Sequence, residues 1–81
     1  MVGFFARSVA GHDKDMVYVI LASDEKNYFL VDGKNRKINM PKKKRKKHVQ
    51  LIKNKRLDMD KDSLSDEEIK RAIKLMSTVP V

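Results

Sequence analysis

The side chains with the clearest chemical potential in this chain are the Lys and Arg residues between positions 34 and 56. This stretch holds twelve of the nineteen basic residues and no Asp or Glu. The segments on either side, 1–33 and 57–81, each carry a net charge of −2, so the stretch supplies all of the positive surplus. Clustered charge of one sign attracts polyanions, and neutralisation of phosphates supplies most of the non-specific affinity for nucleic acid. The charge pattern therefore predicts contact with nucleic acid.

Ten residues in and around the densest part of this block are candidate contacts to RNA phosphates. They are Lys34, Arg36, Lys37, Lys42, Lys43, Lys44, Arg45, Lys46, Lys47 and His48. A turn earlier in the chain offers a further candidate contact, through Gly11, His12 and Lys14. A run of charge is usually a solvated loop, but the six cations at 42–47 have no acid within eight residues on either side, which favours RNA contact. The segment 41–46 also matches a nuclear import peptide, a competing interpretation of the same residues.

Catalytic and metal chemistry find little support in the sequence. The chain has no Cys, which excludes disulfides and thiolate zinc sites. Its two His residues, His12 and His48, have no partner at metal-ligand spacing, so we expect neither a metal nor another cofactor. We recognise no Gly-rich phosphate loop and no nucleophile beside a base, and therefore predict that the protein is not an enzyme and has no catalytic residues.

The distribution of apolar residues indicates a location away from membranes. No apolar run approaches the roughly 20 residues that span a bilayer. The N-terminus lacks the regions of a signal peptide, and Val2 stands where N-myristoylation requires Gly. We expect a cytoplasmic protein that is a monomer and has no membrane partner.

Short apolar runs separated by turns predict five β-strands. These strands cover residues 3–9, 16–22, 27–31, 36–40 and 48–52. The run at 16–22 is unbroken and rich in β-branched residues, which is typical of a strand buried on both faces. The pair Asp32-Gly33 is a hairpin signal, because Gly adopts positive φ without steric cost.

Five short strands joined by tight turns bury their apolar side chains best in a small, strongly bent barrel. We therefore predict a mainly β fold, with a five-stranded barrel over residues 1–53 and a basic loop at 41–48. A linker, 54–62, and a C-terminal unit, 63–78, that consists of an amphipathic helix follow it. Val19 and Leu30 should be buried in the barrel.

Ser65 and Glu68 have the spacing of a capping box, which predicts a helix from Asp66 to about Met76. The apolar residues on one face of this helix are Ile69, Ala72, Ile73 and Met76. This face either packs on the barrel, which is the default expectation, or docks a protein partner.

The five aromatic side chains serve either as core or as platforms on which RNA bases stack. They are Phe4, Phe5, Tyr18, Tyr28 and Phe29. All of them lie in predicted strands, so packing in the core is the favoured interpretation. Tyr28 adjoins a turn and is the best candidate for exposure and base stacking.

Two segments resemble a known group of RNA-binding domains. Residues 9–14, Val-Ala-Gly-His-Asp-Lys, precede an apolar strand and resemble the KOW motif, in which Gly lies in the turn between the first two strands. Residues 28–39 contain Leu-Val-Asp-Gly ahead of a basic segment, and residues 48–51 are His-Val-Gln-Leu. The combination is similar to the archaeal and eukaryotic large-subunit ribosomal protein fourteen family and to short bacterial KOW-domain proteins. The resemblance covers residues 3–52.

The resemblance implies an SH3-like barrel of the KOW type that binds structured RNA, most simply ribosomal RNA. It implies a ribosome-associated role in translation, with ribosomal or other translation proteins as neighbours. One position departs from the motif, because the second Gly of many KOW turns corresponds here to Asp15, an acid that weakens phosphate contact by this turn. An alternative of another class stays open, in which the barrel or the helix docks a translation or transcription partner as a protein-interaction module.

Overall fold

The computed structural model describes residues 2–56 and 65–78, and the side chains of 53–56 and 76–78 lie outside that description. Five antiparallel strands form a curled half-barrel, and one helix follows, so the predicted mainly β class is confirmed. The elements are β1 (Phe4–Ser8), β2 (Val17–Ser23), β3 (Asn27–Val31), β4 (Lys42–Arg45), a 3₁₀ turn (Lys46–His48), β5 (Val49–Arg56) and α1 (Asp66–Thr78). The strand order in the sheet is β4-β3-β2-β1-β5.

The connection between the two edge strands explains why the sheet curls. β4 and β5 lie at opposite edges of the sheet, yet only the 3₁₀ turn at Lys46–His48 separates them in sequence. Arg45 and Val49 are four residues apart and can be separated by at most about 14 Å. Five flat strands at about 4.8 Å spacing would place the edges about 19 Å apart. The sheet must therefore bend until its two edges approach each other.

The inner face of the half-barrel carries one hydrophobic cluster. Its buried members are Ala6, Tyr18, Ile20, Tyr28 and Leu30. Val49 and Leu51 of β5 pack against these residues from the far edge of the sheet. All described members of this cluster come from the strands, so the curl of the sheet itself shields this face from water. Leu30 has no exposed surface, which confirms its predicted burial.

The helix α1 covers a second hydrophobic cluster on the outer face. Its buried members are Phe5, Val19 and Val31 from the sheet and Ile69 from α1. Val19 and Ile69 have no exposed surface, and Ala72 and Ile73 pack against the same cluster. The apolar face of the helix therefore packs on the half-barrel, while the side chain of Met76 lies outside the described part of the chain.

One feature caps the start of α1, and another lets the helix backbone approach the sheet closely. Ser65 caps the helix, because its Oγ accepts a hydrogen bond from the Glu68 N–H at 3.3 Å, as the capping box predicted. Gly33 has φ +76°, and a Cβ at this position would collide with the backbone of Asp66 and Lys70. Only glycine combines that φ with so close an approach of the helix backbone.

The fourth strand lies later in the chain than predicted. The predicted strand at 36–40 is wrong, since these residues form turns and the strand covers 42–45. Asp32 Oδ1 accepts hydrogen bonds from three consecutive backbone N–H groups, those of Lys34, Asn35 and Arg36. The N–H of Ile38 donates to Asp66 Oδ1 at 2.7 Å. These N–H groups therefore anchor a turn and the helix and do not join a strand ladder.

The predicted basic loop at 41–48 is accordingly wrong, since it consists of β4 and the 3₁₀ turn. β5 continues to Arg56, so the predicted end of the barrel at 53 is too early, and 54–56 belong to the strand, not to the linker. Residues 57–62 of the predicted linker lie outside the described residues. The other three strands and the helix agree with their predicted ranges to within about two residues.

Candidate nucleic-acid interface

The alternation of side chains along β4 divides the basic run between two faces of the sheet. Lys42 and Lys44 point to the inner face, where their side chains are 26% and 11% exposed. Lys43 and Arg45 point to the outer face and are exposed. The run therefore does not present one uniform cationic surface.

Asp13 is the reason that two lysines turn inward. This carboxylate is buried, with Lys42 Nζ at 3.0 Å from its Oδ2 and Lys44 Nζ at 2.8 Å from its Oδ1. The hydroxyls of Ser8 and Tyr18 donate to the same carboxylate at 2.8 and 3.1 Å. Lys44 Nζ also donates to the carbonyl oxygen of Ala10 at 2.9 Å. Four donors thus converge on one carboxylate, and we refer to Asp13, Ser8, Tyr18, Lys42 and Lys44 as the Asp13 cluster.

The cluster holds Asp13 as a carboxylate and Tyr18 as a neutral phenol. Burial acts to raise the pKa of Asp13, but the hydrogen bonds from Lys44, Lys42, Ser8 and Tyr18 outweigh it and hold that pKa well below its ordinary value. Burial, together with the hydrogen bond to Asp13, raises the pKa of Tyr18 to about 12. The negative charge of Asp13 at neutral pH offsets part of the charge of Lys42 and Lys44, which weakens the predicted role of these two residues as phosphate contacts.

The 3₁₀ turn places its three residues differently. Lys46 Nζ lies 5.1 Å from the centroid of the Tyr28 ring, a cation–π contact, and its side chain is half-buried. Lys47 is exposed, and His48 is half-buried while its carbonyl oxygen accepts from the Val9 N–H. Of the three predicted contacts in this turn, Lys47 is the one that is fully accessible.

Three cations of the run therefore remain exposed: Lys43, Arg45 and Lys47, which we call the exposed basic trio. Among the described residues, none of the three takes part in an ion pair with an acid. Lys43 also interacts through its charge with Asp24, without forming an ion pair. The pKa of Asp24 is lowered mainly by backbone hydrogen bonds from Asn27 and Lys26, with a smaller contribution from the charge of Lys43.

The basic turn at 34–37 lies apart from the trio. Lys34 and Lys37 are exposed and Arg36 is half-buried. The turn follows the end of β3 at Val31, whereas Arg45 pairs with Asn27 at the start of β3. The sequence block that looks continuous is thus presented at opposite ends of one strand.

The turn between β1 and β2 also holds candidate residues that are exposed. Gly11, His12 and Lys14 are exposed, and Gly11 has φ +87°, so this glycine serves the turn geometry. A Cβ on Gly11 would lie 3.4 Å from Lys44 Nζ, which places the turn beside the Asp13 cluster. Asp15 has φ +73°, the only positive φ of a residue other than glycine in the described chain, so a position suited to glycine holds an acid here.

Two aromatic assignments differ from expectation. Tyr28, the best candidate for exposure in the sequence, is 8% exposed and belongs to the inner cluster. Phe29, expected in the core, is half-buried and belongs to neither hydrophobic cluster. No local signal identified Asp13, because its lysine partners lie about thirty residues away in sequence.

The described residues include no group of three or more His, Asp or Glu side chains that could hold a metal ion. Within the same residues, no helix is both long enough and apolar enough to cross a membrane. No protein-family model matches the chain, and no curated protein is significantly similar to it. The KOW interpretation therefore stays a prediction from the sequence.

Proposed function

We propose that the protein is a non-enzymatic RNA-binding protein that contacts phosphates through the exposed basic trio. The observation that carries the proposal is the state of Lys43, Arg45 and Lys47, which are exposed and unpaired among the described residues. The resemblance of the sequence to ribosomal proteins favours ribosomal RNA as the ligand and a cytoplasmic, ribosome-associated role.

The geometry of β4 suits contact with more than one phosphate. Lys43 and Arg45 are two residues apart on a strand, so their Cα atoms lie about 6.7 Å apart on the same face. Side chains at this spacing reach separate phosphates without competing for one. The exposed Lys34 and Lys37 at the other end of β3 extend the positive field and would attract the same polyanion.

The burial of the Asp13 cluster favours a binding role for the protein over a catalytic role. The hydroxyl of Ser8, adjacent to the carboxylate of Asp13, has no exposed surface and donates its hydrogen bond inward. A buried hydroxyl of this kind does not reach a substrate, so the Asp13 cluster is structural.

Salt titration tests the proposal. Each neutralised phosphate contributes about 0.7–0.9 to the slope of log affinity against log salt concentration, so replacing the three residues of the trio with Gln should reduce the slope by about two to three units. The affinity for RNA should be measured by fluorescence anisotropy with K43Q/R45Q/K47Q. A matched control is K70Q/R71Q/K74Q, which removes the same charge from exposed positions of α1. Equal losses in both variants, or none in the trio variant, would place the RNA site elsewhere.

A groove beside α1 favours a second candidate function, the docking of a protein partner. The groove has a volume of about 370 Å³ and is lined by three apolar and five charged residues: Met16, Val17, Ile73, Asp15, Asp32, Lys34, Lys70 and Lys74. Met16 is 45% exposed, and a flexible methionine suits a binding surface. A partner held by the apolar side chains of this groove would stay bound at high salt and be released by Met16→Asp. RNA held through its phosphates would instead dissociate at high salt.

A further inference from the structure

Phe29 is the aromatic residue that neither core uses. It lies in β3 between Val31, which α1 covers, and Asn27, with all three side chains on the outer face. Phe29 is half-buried and absent from both hydrophobic clusters. The outer core therefore ends at Val31, and the ring of Phe29 lies beyond it.

The cross-strand neighbours of Phe29 are a small side chain on one side and two cations on the other. On one side it pairs with Ala22, whose small side chain is exposed. On the other side it pairs directly with Lys43, so the two Cβ atoms lie about 5 Å apart. Arg45 is the diagonal neighbour, about 7–8 Å away. A half-buried aromatic ring thus lies beside two members of the exposed basic trio.

We propose that this surface binds unpaired RNA nucleotides, with one base stacked on Phe29 and the adjacent phosphates held by Lys43 and Arg45. The inference rests on the proposed RNA-binding function and assigns its ligand class. Proteins that bind single-stranded nucleic acid combine a cationic surface that follows the backbone with aromatic side chains on which bases stack. A continuous duplex cannot use the aromatic side chain in this way, because every base is stacked within the helix and its face is covered.

The structure favours Phe29 over the other aromatic side chains for this role. Tyr18 and Tyr28 are buried in the inner cluster, and Phe5 is buried beneath α1. Phe4 is half-buried and packs against the inner cluster. Recognition of unpaired nucleotides is more specific than the binding of structured RNA that the family resemblance implies.

The chain has no Trp, so Phe29→Trp introduces a single fluorescent reporter that retains a stacking surface. A short oligouridylate RNA and a blunt RNA duplex of equal charge serve as probes. Phe29→Leu removes the ring but keeps an apolar side chain, and Phe4→Leu is the matched control. Melting curves of all variants establish that each remains folded.

The expected result is quenching of the indole emission of the F29W variant by the oligouridylate, because a stacked base contacts the indole ring. Stacking contributes enough per base that F29L should weaken oligouridylate binding about tenfold, whereas F4L and duplex binding should change less than about twofold. Salt-sensitive oligouridylate binding that the trio variant weakens, with no quenching and no effect of F29L, would overturn the stacking role and leave phosphate binding intact. If neither the oligouridylate nor the duplex bound the wild-type chain, the RNA-binding function itself would be overturned.

Discussion

We expect the substitution Asp13→Asn to remove a large part of the stability of this domain. Asn has nearly the same shape as Asp but lacks the charge that Lys42 and Lys44 require. The side chain of Lys44 is only 11% exposed, so its ammonium group would lose its counter-ion in a largely dry environment. Tyr18 and Ser8 would keep a neutral acceptor at best, in place of a carboxylate.

The magnitude follows from the burial of Lys44. Removing one partner of a buried ion pair typically costs about 3–5 kcal/mol. The carbonyl oxygen of Ala10, 2.9 Å from Lys44 Nζ, still accepts in the variant, so we expect the lower end, about 3 kcal/mol. A domain of this size has a free energy of unfolding of roughly 4–12 kcal/mol. The melting temperature should therefore fall by on the order of 15 °C.

Urea denaturation and thermal melting followed by circular dichroism measure this effect. Asp24→Asn is the matched control, because Asp24 is fully exposed and Asn keeps an oxygen that accepts from the turn backbone. Lys44→Met and the double variant D13N/K44M complete a double-mutant cycle. We expect the second substitution to cost less in the presence of the first, by at least about 1 kcal/mol. A D13N chain that melts within about 3 °C of the wild type would refute the assignment of Asp13 as the centre of a buried ion cluster.

The contribution of Asp13 also depends on pH. Its pKa in the folded state lies well below the ordinary value of 3.8, because hydrogen bonds from Lys44 and Lys42 outweigh the effect of burial. A lowered folded-state pKa means that the stabilisation is fully present above the unfolded-state pKa and is lost as the pH falls through the folded-state pKa. The wild type should therefore lose stability in acid below about pH 4, and D13N should lose less over the same range.

Substitutions at three further positions test the fold. Gly33→Ala should destabilise the chain by more than about 2 kcal/mol and reduce amide-exchange protection in α1 first, because the added Cβ meets the backbone of Asp66; unchanged protection would contradict that packing. Asp15→Gly should keep stability or raise it by up to about 1 kcal/mol in urea denaturation, because φ +73° strains an L-residue; a clear loss would show that the Asp15 side chain makes a needed contact. Ser65→Ala should cost about 1 kcal/mol through loss of the hydrogen bond from the Glu68 N–H, while Ser65→Asp should restore it.

The sequence was sufficient for the elements whose signals are local. The unbroken apolar run of β2, the short apolar runs of β1 and β3 and the capping box of α1 each depend on residues within one strand or one turn. The same local reasoning failed for β4, because Lys-rich segments have low strand propensity. That segment becomes a strand only because β3 offers a pairing edge and Asp13 accepts its inward lysines.

The candidate site was predicted in composition but not in arrangement. The sequence correctly located the surplus of positive charge, since net charge per segment needs only counting. It could not divide the run into Lys42 and Lys44, which pair with Asp13, and Lys43 and Arg45, which stay exposed. That division depends on where β4 begins, because a shift of one residue exchanges the two faces of a strand.

Composition and local pattern by themselves thus determined a mainly β domain, a capped C-terminal helix and a strongly cationic segment. Contacts between distant parts of the chain determine the remaining features. These are the curl that brings β4 near β5, the packing of α1 against Gly33 and the burial of Asp13. The physical reason is the separation along the sequence over which each interaction acts. Backbone propensity and capping act over a few residues, whereas burial and the pairing of charges depend on atoms that only the folded chain brings together. Which cations face the solvent, and that Phe29 lies beside them, is therefore a property of the tertiary structure alone.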